Sequence, residues 1–319
     1  MRIPPLALSL VSLALAAQRP MQIEDLFKVQ RVAAPALSAK GDLAYQVGVA
    51  DPETNRISTR LWFKPVGGEA RCLDLGPGNQ TGPRFSPDGT RLAYEAGGQV
   101  WVLDLATGQH RQLTHLSGGA SGPLWSPDGT RIAFTSLTVP SGNETENAAY
   151  LKAQAARKAT GRVYDTLMYR HWMEWRDPHQ VRHLFVVKAD GSEAPKDLTV
   201  GLHADVPTPA MVSTGTGYAW SPDGRFLAFN SQPDFAVATS TNGDIYEVSA
   251  EGGPLRKLSN NPAMDADPAY APDGRTLAWR AQREPGFESD KWELWVYDRA
   301  AGKVVATTQA FDRQVGAFA

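Results

Sequence analysis

A single cysteine, Cys72, stands in a chain of 319 residues. One thiol without a partner excludes an intramolecular disulfide framework and the cysteine-based zinc motifs. It falls in an expected strand, Arg71-Cys-Leu-Asp-Leu75, where it reads as a half-buried small side chain. The six histidines (His110, His115, His171, His179, His183, His203) show no H-E-x-x-H or other ligand spacing, so no metal is expected. Asp265-Ala-Asp267 lacks the downstream glycine and glutamate of a calcium loop and reads as solvated turn carboxylates. No G-x-x-x-x-G-K-S/T or G-x-G-x-x-G is present to cradle a nucleotide phosphate, and no cofactor is expected.

A nucleophile motif is missing too. The nearest approach to G-x-S-x-G is Gly119-Ala-Ser121-Gly-Pro123, which lacks the final glycine and lies in the loop that opens a repeat. No parallel βαβ pattern offers the platform such a serine needs, so no catalytic residue is assigned. Charge of neither sign dominates: 32 Lys and Arg against 34 Asp and Glu leave a net charge of −2, with no reason to expect nucleic acid or an anionic membrane as partner. The one continuous apolar run, Leu6 to Leu15, is too short to span a bilayer. Preceded by Met1-Arg2 and followed by Ala14-Leu-Ala-Ala17, it has the order of a signal peptide over residues 1–17. Export to the periplasm or the cell exterior is expected, and no cysteine lies at the cleavage point to carry a lipid anchor.

What the chain has is repetition. Ser86-Pro87-Asp88-Gly89, Ser126-Pro127-Asp128-Gly129 and Ser221-Pro222-Asp223-Gly224 are identical, Ala271-Pro272-Asp273-Gly274 differs in one residue, and Ser38-Ala39-Lys40-Gly41 is a degraded copy. Proline presets φ at the first central position of a tight turn, aspartate bonds back to nearby amides, and glycine takes the positive φ that reverses the chain. Each copy is followed by an alternating apolar stretch, the pattern of a strand with one buried face. From Gly41 through Gly89, Gly129, Gly224 and Gly274 the spacings are 48, 40, 95 and 50 residues. Units of that length with several short strands each are propeller blades.

The fold expected is all-β, a β-propeller of four-stranded blades. Over residues 18–319 the blades fall at about 32–75, 76–115, 116–200, 201–260 and 261–310. Pro20 to Val32 reads as a short helix or lead-in strand, and Phe311 to Ala319 as the approach to a sixth turn. Five blades and a fragment leave the ring incomplete, with exposed sheet edges. The long third unit carries an insertion at about 141–168, rich in alanine and other helix formers, which reads as a helical arm of one or two short helices leaving the ring at a strand connection. Ser141 is its expected N-cap, with Glu144 at the capping-box position.

Just after the insertion comes Tyr169-Arg-His-Trp-Met-Glu-Trp-Arg-Asp177, with two tryptophans, two arginines and two acids in nine residues. Glu174 or Asp177 suits a substrate ammonium, and Arg170 or Arg176 a carboxylate or carbonyl, through charge-assisted hydrogen bonds. The competing reading is an ion-pair network that fixes the arm to the rim while Trp172 and Trp175 pack beneath it.

These residues resemble a family. The turns are similar to those of TolB-like propellers and of prolyl oligopeptidase-family serine peptidases. The finer likeness is to the exported bacterial dipeptidyl-peptidase and acylaminoacyl-peptidase branch. It rests on Ile23-Glu-Asp-Leu-Phe27, the Tyr169 to Arg176 cluster, His183-Leu-Phe-Val-Val187, His203-Ala-Asp-Val-Pro207, Met264-Asp-Ala-Asp-Pro268, Gly286-Phe-Glu-Ser-Asp290 and Phe311-Asp-Arg313. The resemblance implies a propeller, commonly seven-bladed, that filters or anchors short peptides over a C-terminal α/β-hydrolase domain supplying Ser, Asp and His. Nothing here corresponds to that domain, so the chain is expected to be truncated before it and inactive alone. In a related branch an acidic pair on a propeller arm holds the substrate's amine, and Glu174 and Asp177 are analogous to it by position. The alternative is a stand-alone periplasmic propeller acting as a protein-binding scaffold in the TolB manner.

Overall fold

In the computed structural model, which describes residues 19–165, 167–209, 217–234 and 237–318, the blades begin at Arg31. The proposed signal peptide lies outside the described residues. Ahead of the first blade, Ile23–Phe27 forms one 3-10 turn whose Asp25 carboxylate accepts from the Gln22 amide and is held by Arg19 and Lys28.

Five four-stranded antiparallel sheets follow, and they are not closed into a ring. In blades one, two, four and five each strand pairs with the next in sequence. Blade three pairs Ser121–Trp125 with Arg131–Thr138, then admits the arm, and resumes with Val181–Lys188 and Lys196–Asp197. The first strands of neighbouring blades approach one another and mark the inner side of the propeller. Between the sheets lies the core: Leu92, Ile132, Leu227 and Leu277, each six residues past the start of its turn, are fully buried, with Phe134, Phe229 and Trp279 two residues on. Alternation sends these residues to one face of the sheet and Ala93, Ala133 and Ala228 between them to the other, and both faces are packed rather than the one expected.

The repeated turns are built as their residues dictate. The Ser86 hydroxyl donates to Asp88 at 2.5 Å and receives the Arg91 amide at 3.0 Å, while the Gly89 amide closes the turn on the Ser86 carbonyl. Ser126 and Ser221 do the same with Asp128 and Asp223. Hydrogen bonds from Ser86 and the Thr90 amide hold the Asp88 carboxyl down at about 2.

The turns also fasten one blade to the next. Arg91 reaches the Gly129 carbonyl at 2.8 Å and lies over the Trp125 ring, and Arg131 does likewise with Gly224 and Trp220. The indole nitrogens of Trp125 and Trp220 donate back to the Arg84 and Leu124 carbonyls of the preceding inner strand. At the fourth seam Phe226 occupies the arginine's place. Arg299, from blade five, instead lies over Phe226 and Tyr270 and donates to the Gly274 carbonyl at 3.0 Å. Its other nitrogen meets Glu247, which also receives the Tyr270 hydroxyl.

Several expectations need correction. The inner strand of blade one, Arg31–Leu37, was hidden by Pro35. Four residues before each turn sits a residue with positive φ (Ala34, Gly82, Gly122, Gly217, Asp267), and after it, in four of the five, a proline. The strand bulges there, and on the inner edge a missing N–H costs no ladder bond. At Gly122 a side chain has no room, since an added Cβ would lie 2.5 Å from the Tyr218 hydroxyl. Cys72 ends up exposed, because Arg71–Cys72 is the outermost strand of its blade. Asp265 and Asp267 are buried strand residues rather than solvated turn carboxylates. Arg280 pairs with Asp267 at 2.6 Å, and the Trp279 indole and Asn261 amide donate to Asp265. After blade five, the Val315 amide bonds the Trp292 carbonyl and Phe318 lines a hollow beside Trp125, Trp220 and Pro268.

Candidate functional site

The arm is the one element that leaves the sheets, and its root is rigid. An added Cβ on Gly118 would lie 1.7 Å from the Leu137 carbonyl oxygen, so only glycine admits the strand that close. Fully buried Asn147 donates to that same carbonyl at 3.2 Å and to the Ser117 hydroxyl at 2.9 Å, and it accepts from Gln180. Of the helical arm expected at about 141–168, one helix forms, over Glu144–Ala155. Beyond it Thr160-Gly-Arg-Val163 offers glycine and β-branched residues that do not prolong a helix. The N-cap is Asn143, whose side chain receives the Glu146 amide, while Ser141 bonds the Glu146 carboxylate instead. Gly142 at φ 68° turns the chain between them.

The polar and aromatic cluster forms a short hairpin. Arg170–His171 pairs with Glu174–Trp175, placing Arg170 opposite Trp175 and His171 opposite Glu174. Trp172 turns the corner at φ 49°, and with Met173 it forms an apolar tip 69% and 83% exposed. The six candidate residues therefore separate. Arg176 and Asp177 face inward as anchors: Arg176 pairs with Asp205, and Asp177 accepts the Tyr150 hydroxyl from the helix and the His179 amide. Burial and the Asp177 carboxylate push the Tyr150 phenol well above its ordinary range. Asp177 is thereby occupied and forms no open acidic pair with Glu174.

Glu174, Arg170, Trp172 and Trp175 are exposed, so the tryptophans do not pack beneath the arm. Among the described residues Glu174 has no hydrogen-bond or ion-pair partner. Trp175 instead stacks on Tyr164 at 6.0 Å and meets Tyr169 at 6.1 Å, with the guanidinium carbons of Arg162 and Arg170 at 5.7 and 5.6 Å from its ring. Trp175, Tyr164, Tyr169 and Arg162 wall a cleft of about 750 Å³ together with Thr160, Asp165 and Leu167, and Arg170 lies against the Trp175 ring without lining it. Arg162 and Tyr164 carry no motif that marks them as site residues, and they meet Trp175 only through the turn of the chain after Ala155. Among the described residues no group of His, Cys, Asp and Glu is arranged to hold a metal.

No family model matches the sequence. Over 298 residues the chain is 33% identical to dipeptidyl-peptidase 5 of Porphyromonas gingivalis, covering 90% of this chain and 42% of that protein. Its fold is similar to an acylaminoacyl peptidase of Pyrococcus horikoshii, with a TM-score of 0.65 at 18% identity over 92% of this chain and 41% of the other. The β-propeller domain of the Trilobed protease from Pyrococcus furiosus, described as having an open velcro topology, matches with a TM-score of 0.56 at 15% identity, over 91% of this chain and 74% of that one. The chain is thus a β-propeller related to dipeptidyl-peptidase 5, and it spans about two fifths of that relative's length.

Proposed function

We propose that this propeller serves an exported serine-type dipeptidyl- or aminoacyl-peptidase, gating and positioning short peptides for an α/β-hydrolase domain. The observation that carries this reading is the relatedness to dipeptidyl-peptidase 5 over nearly the whole chain, arm included. The sequence carries no G-x-S-x-G nucleophile elbow, and the exposed Glu174, Arg170, Trp172 and Trp175 stand together on the arm's hairpin. There the Glu174 carboxylate, with no hydrogen-bond or ion-pair partner among the described residues, receives the ammonium of a peptide with a free N-terminus. Export through the 1–17 segment sets the compartment in which such peptides are met.

Two measurements test this. The purified chain leaves dipeptidyl and aminoacyl arylamides intact, and inhibitor-sensitive turnover would contradict the assignment. It binds short peptides with a free N-terminus about fivefold more tightly than their acetylated forms, a single partly exposed charge-assisted bond's share, and Glu174→Gln removes the difference. Binding of folded proteins with no affinity for short peptides would move the chain to the scaffold reading.

A further inference from the structure

From the middle of its helix onward, residues 150 to 182, the arm carries seven Lys and Arg against three Asp and Glu, with Glu144 and Glu146 at the helix start besides, in a chain whose net charge is −2. This distal part of the arm is therefore basic on a weakly acidic molecule. Its three acids are unequally available, since Asp177 is bound to Tyr150 and Glu174 projects from the hairpin face opposite Trp175. Of the three, only Asp165 lines the cleft, beside Arg162. On the other side of the balance, Lys152, Arg157, Lys158, Arg162 and Arg170 have no ion-pair partner among the described residues. Arg157 bonds the Gln154 side chain, and Arg162 meets the Tyr164 hydroxyl only at 3.4 Å.

The way Arg162 and Arg170 are held matters more than their number. Both sit against the Trp175 ring. A guanidinium positioned over an aromatic face keeps its in-plane N–H groups free, and that fork matches a carboxylate with two parallel bonds. Aromatic support also spares much of the side-chain entropy that an unsupported surface arginine loses on binding. The ring group beneath supplies apolar area for the methylenes next to the carboxylate.

We propose that this cleft is a subsite for acidic peptide segments, with Arg162 in its lining and Arg170 beside it on the Trp175 ring receiving Asp or Glu carboxylates over the floor made by Trp175, Tyr164 and Tyr169. The proposal rests on the reading that the propeller handles peptides and names the class it prefers. A peptide fits better than a polynucleotide because the site is one confined cleft on a molecule without the net positive charge that draws polyanions from a distance.

The test uses the whole chain and Trp fluorescence or calorimetry, with two hexapeptides of equal length and free N-terminus, one rich in Asp and Glu and the other carrying Asn and Gln in their place. The acidic peptide binds about tenfold more tightly at low salt, and the margin shrinks as salt rises. Arg162→Gln combined with Arg170→Gln abolishes the margin, the double Lys variant retains part of it, and Arg225→Gln, which alters an arginine over Phe226 away from the arm, leaves it intact. Equal binding of the two peptides overturns this inference while leaving peptide handling in place. No binding of either overturns both readings. Tighter binding of an oligothymidylate of matched charge would assign the cleft to nucleic acid and also overturn the proposal.

Discussion

The repeated turns and the arm are both crowded with charge, and they treat it in opposite ways. Asp88, Asp128 and Asp223 each accept from the serine two residues before them and from an amide that follows. Arg91 and Arg131 are likewise committed, face to a ring and edge to a carbonyl. On the arm the cations stop halfway: among the described residues Arg162 and Arg170 have the ring and no carbonyl or carboxylate at the edge, Arg162 meeting only the Tyr164 hydroxyl at 3.4 Å. A charge with all its bonds made holds a fold together, and one with bonds left over is open to a ligand.

That contrast can be broken most directly with two tryptophans. Trp279 is fully buried between blades four and five and donates to Asp265, so Trp279→Ala is expected to cost about 3–5 kcal/mol and lower the melting temperature steeply, or prevent recovery of folded chain. A mild effect would mean the fifth blade contributes little to the core.

The second test uses pH. Burial pushes the Asp265 carboxyl up to about 7, against the hydrogen bonds from Asn261, Ser259 and Trp279, and the neighbouring Asp244, itself raised by burial and paired with Lys257, adds to the rise. The folded state binds this proton more tightly than the unfolded chain does, whose carboxyl titrates near about 3.9. Its contribution is full below that value and is lost as pH rises through about 7. Stability should therefore fall between about pH 4 and pH 7 by on the order of 2–4 kcal/mol, and Asp265→Asn should flatten the slope. The turn aspartates act with the other sign. Their lowered carboxyls give stability that is lost only as pH drops below about 4. A melting curve that rises steadily from pH 4 to pH 7 would contradict the Asp265 account.

Smaller again is Asp128→Ala, which leaves the Thr130 amide and the Ser126 hydroxyl to find new partners and is expected to cost about 1 kcal/mol. Smallest is Trp175→Ala. With half of its surface in water it should change the melting temperature hardly at all, within about 1 kcal/mol, while removing the acidic-peptide preference. Loss of fold in that variant would make the arm's ring group part of the scaffold.

The legible parts of this molecule were those fixed locally. A Ser-Pro-Asp-Gly turn needs only its own four residues and the next amide, so four of the five turns could be read from the letters alone. Inner strands were harder, because Pro35 and its equivalents resemble breakers until the bulge and the unpaired edge are seen. Asp265 and Asp267 look like loop carboxylates, and only the arrival of Trp279, Asn261 and Arg280 from elsewhere explains their burial. The Tyr169 to Asp177 cluster was visible, but its division into anchors and exposed groups was not. That division depends on Tyr150 and Asp205, 27 and 29 residues away from Asp177 and Arg176.

The swap at Phe226 has a consequence for the order in which the molecule can be assembled on the ribosome. The clasps made by Arg91 and Arg131 become available once the following corner has been synthesised, since each donor precedes its acceptor in the chain. The clasp over Phe226 runs backward, from Arg299 to a corner made earlier. A nascent chain that has delivered Gly274 but not Arg299 holds the donors and acceptors of the clasps joining blades two, three and four, and lacks the donor of the one joining blade four to blade five.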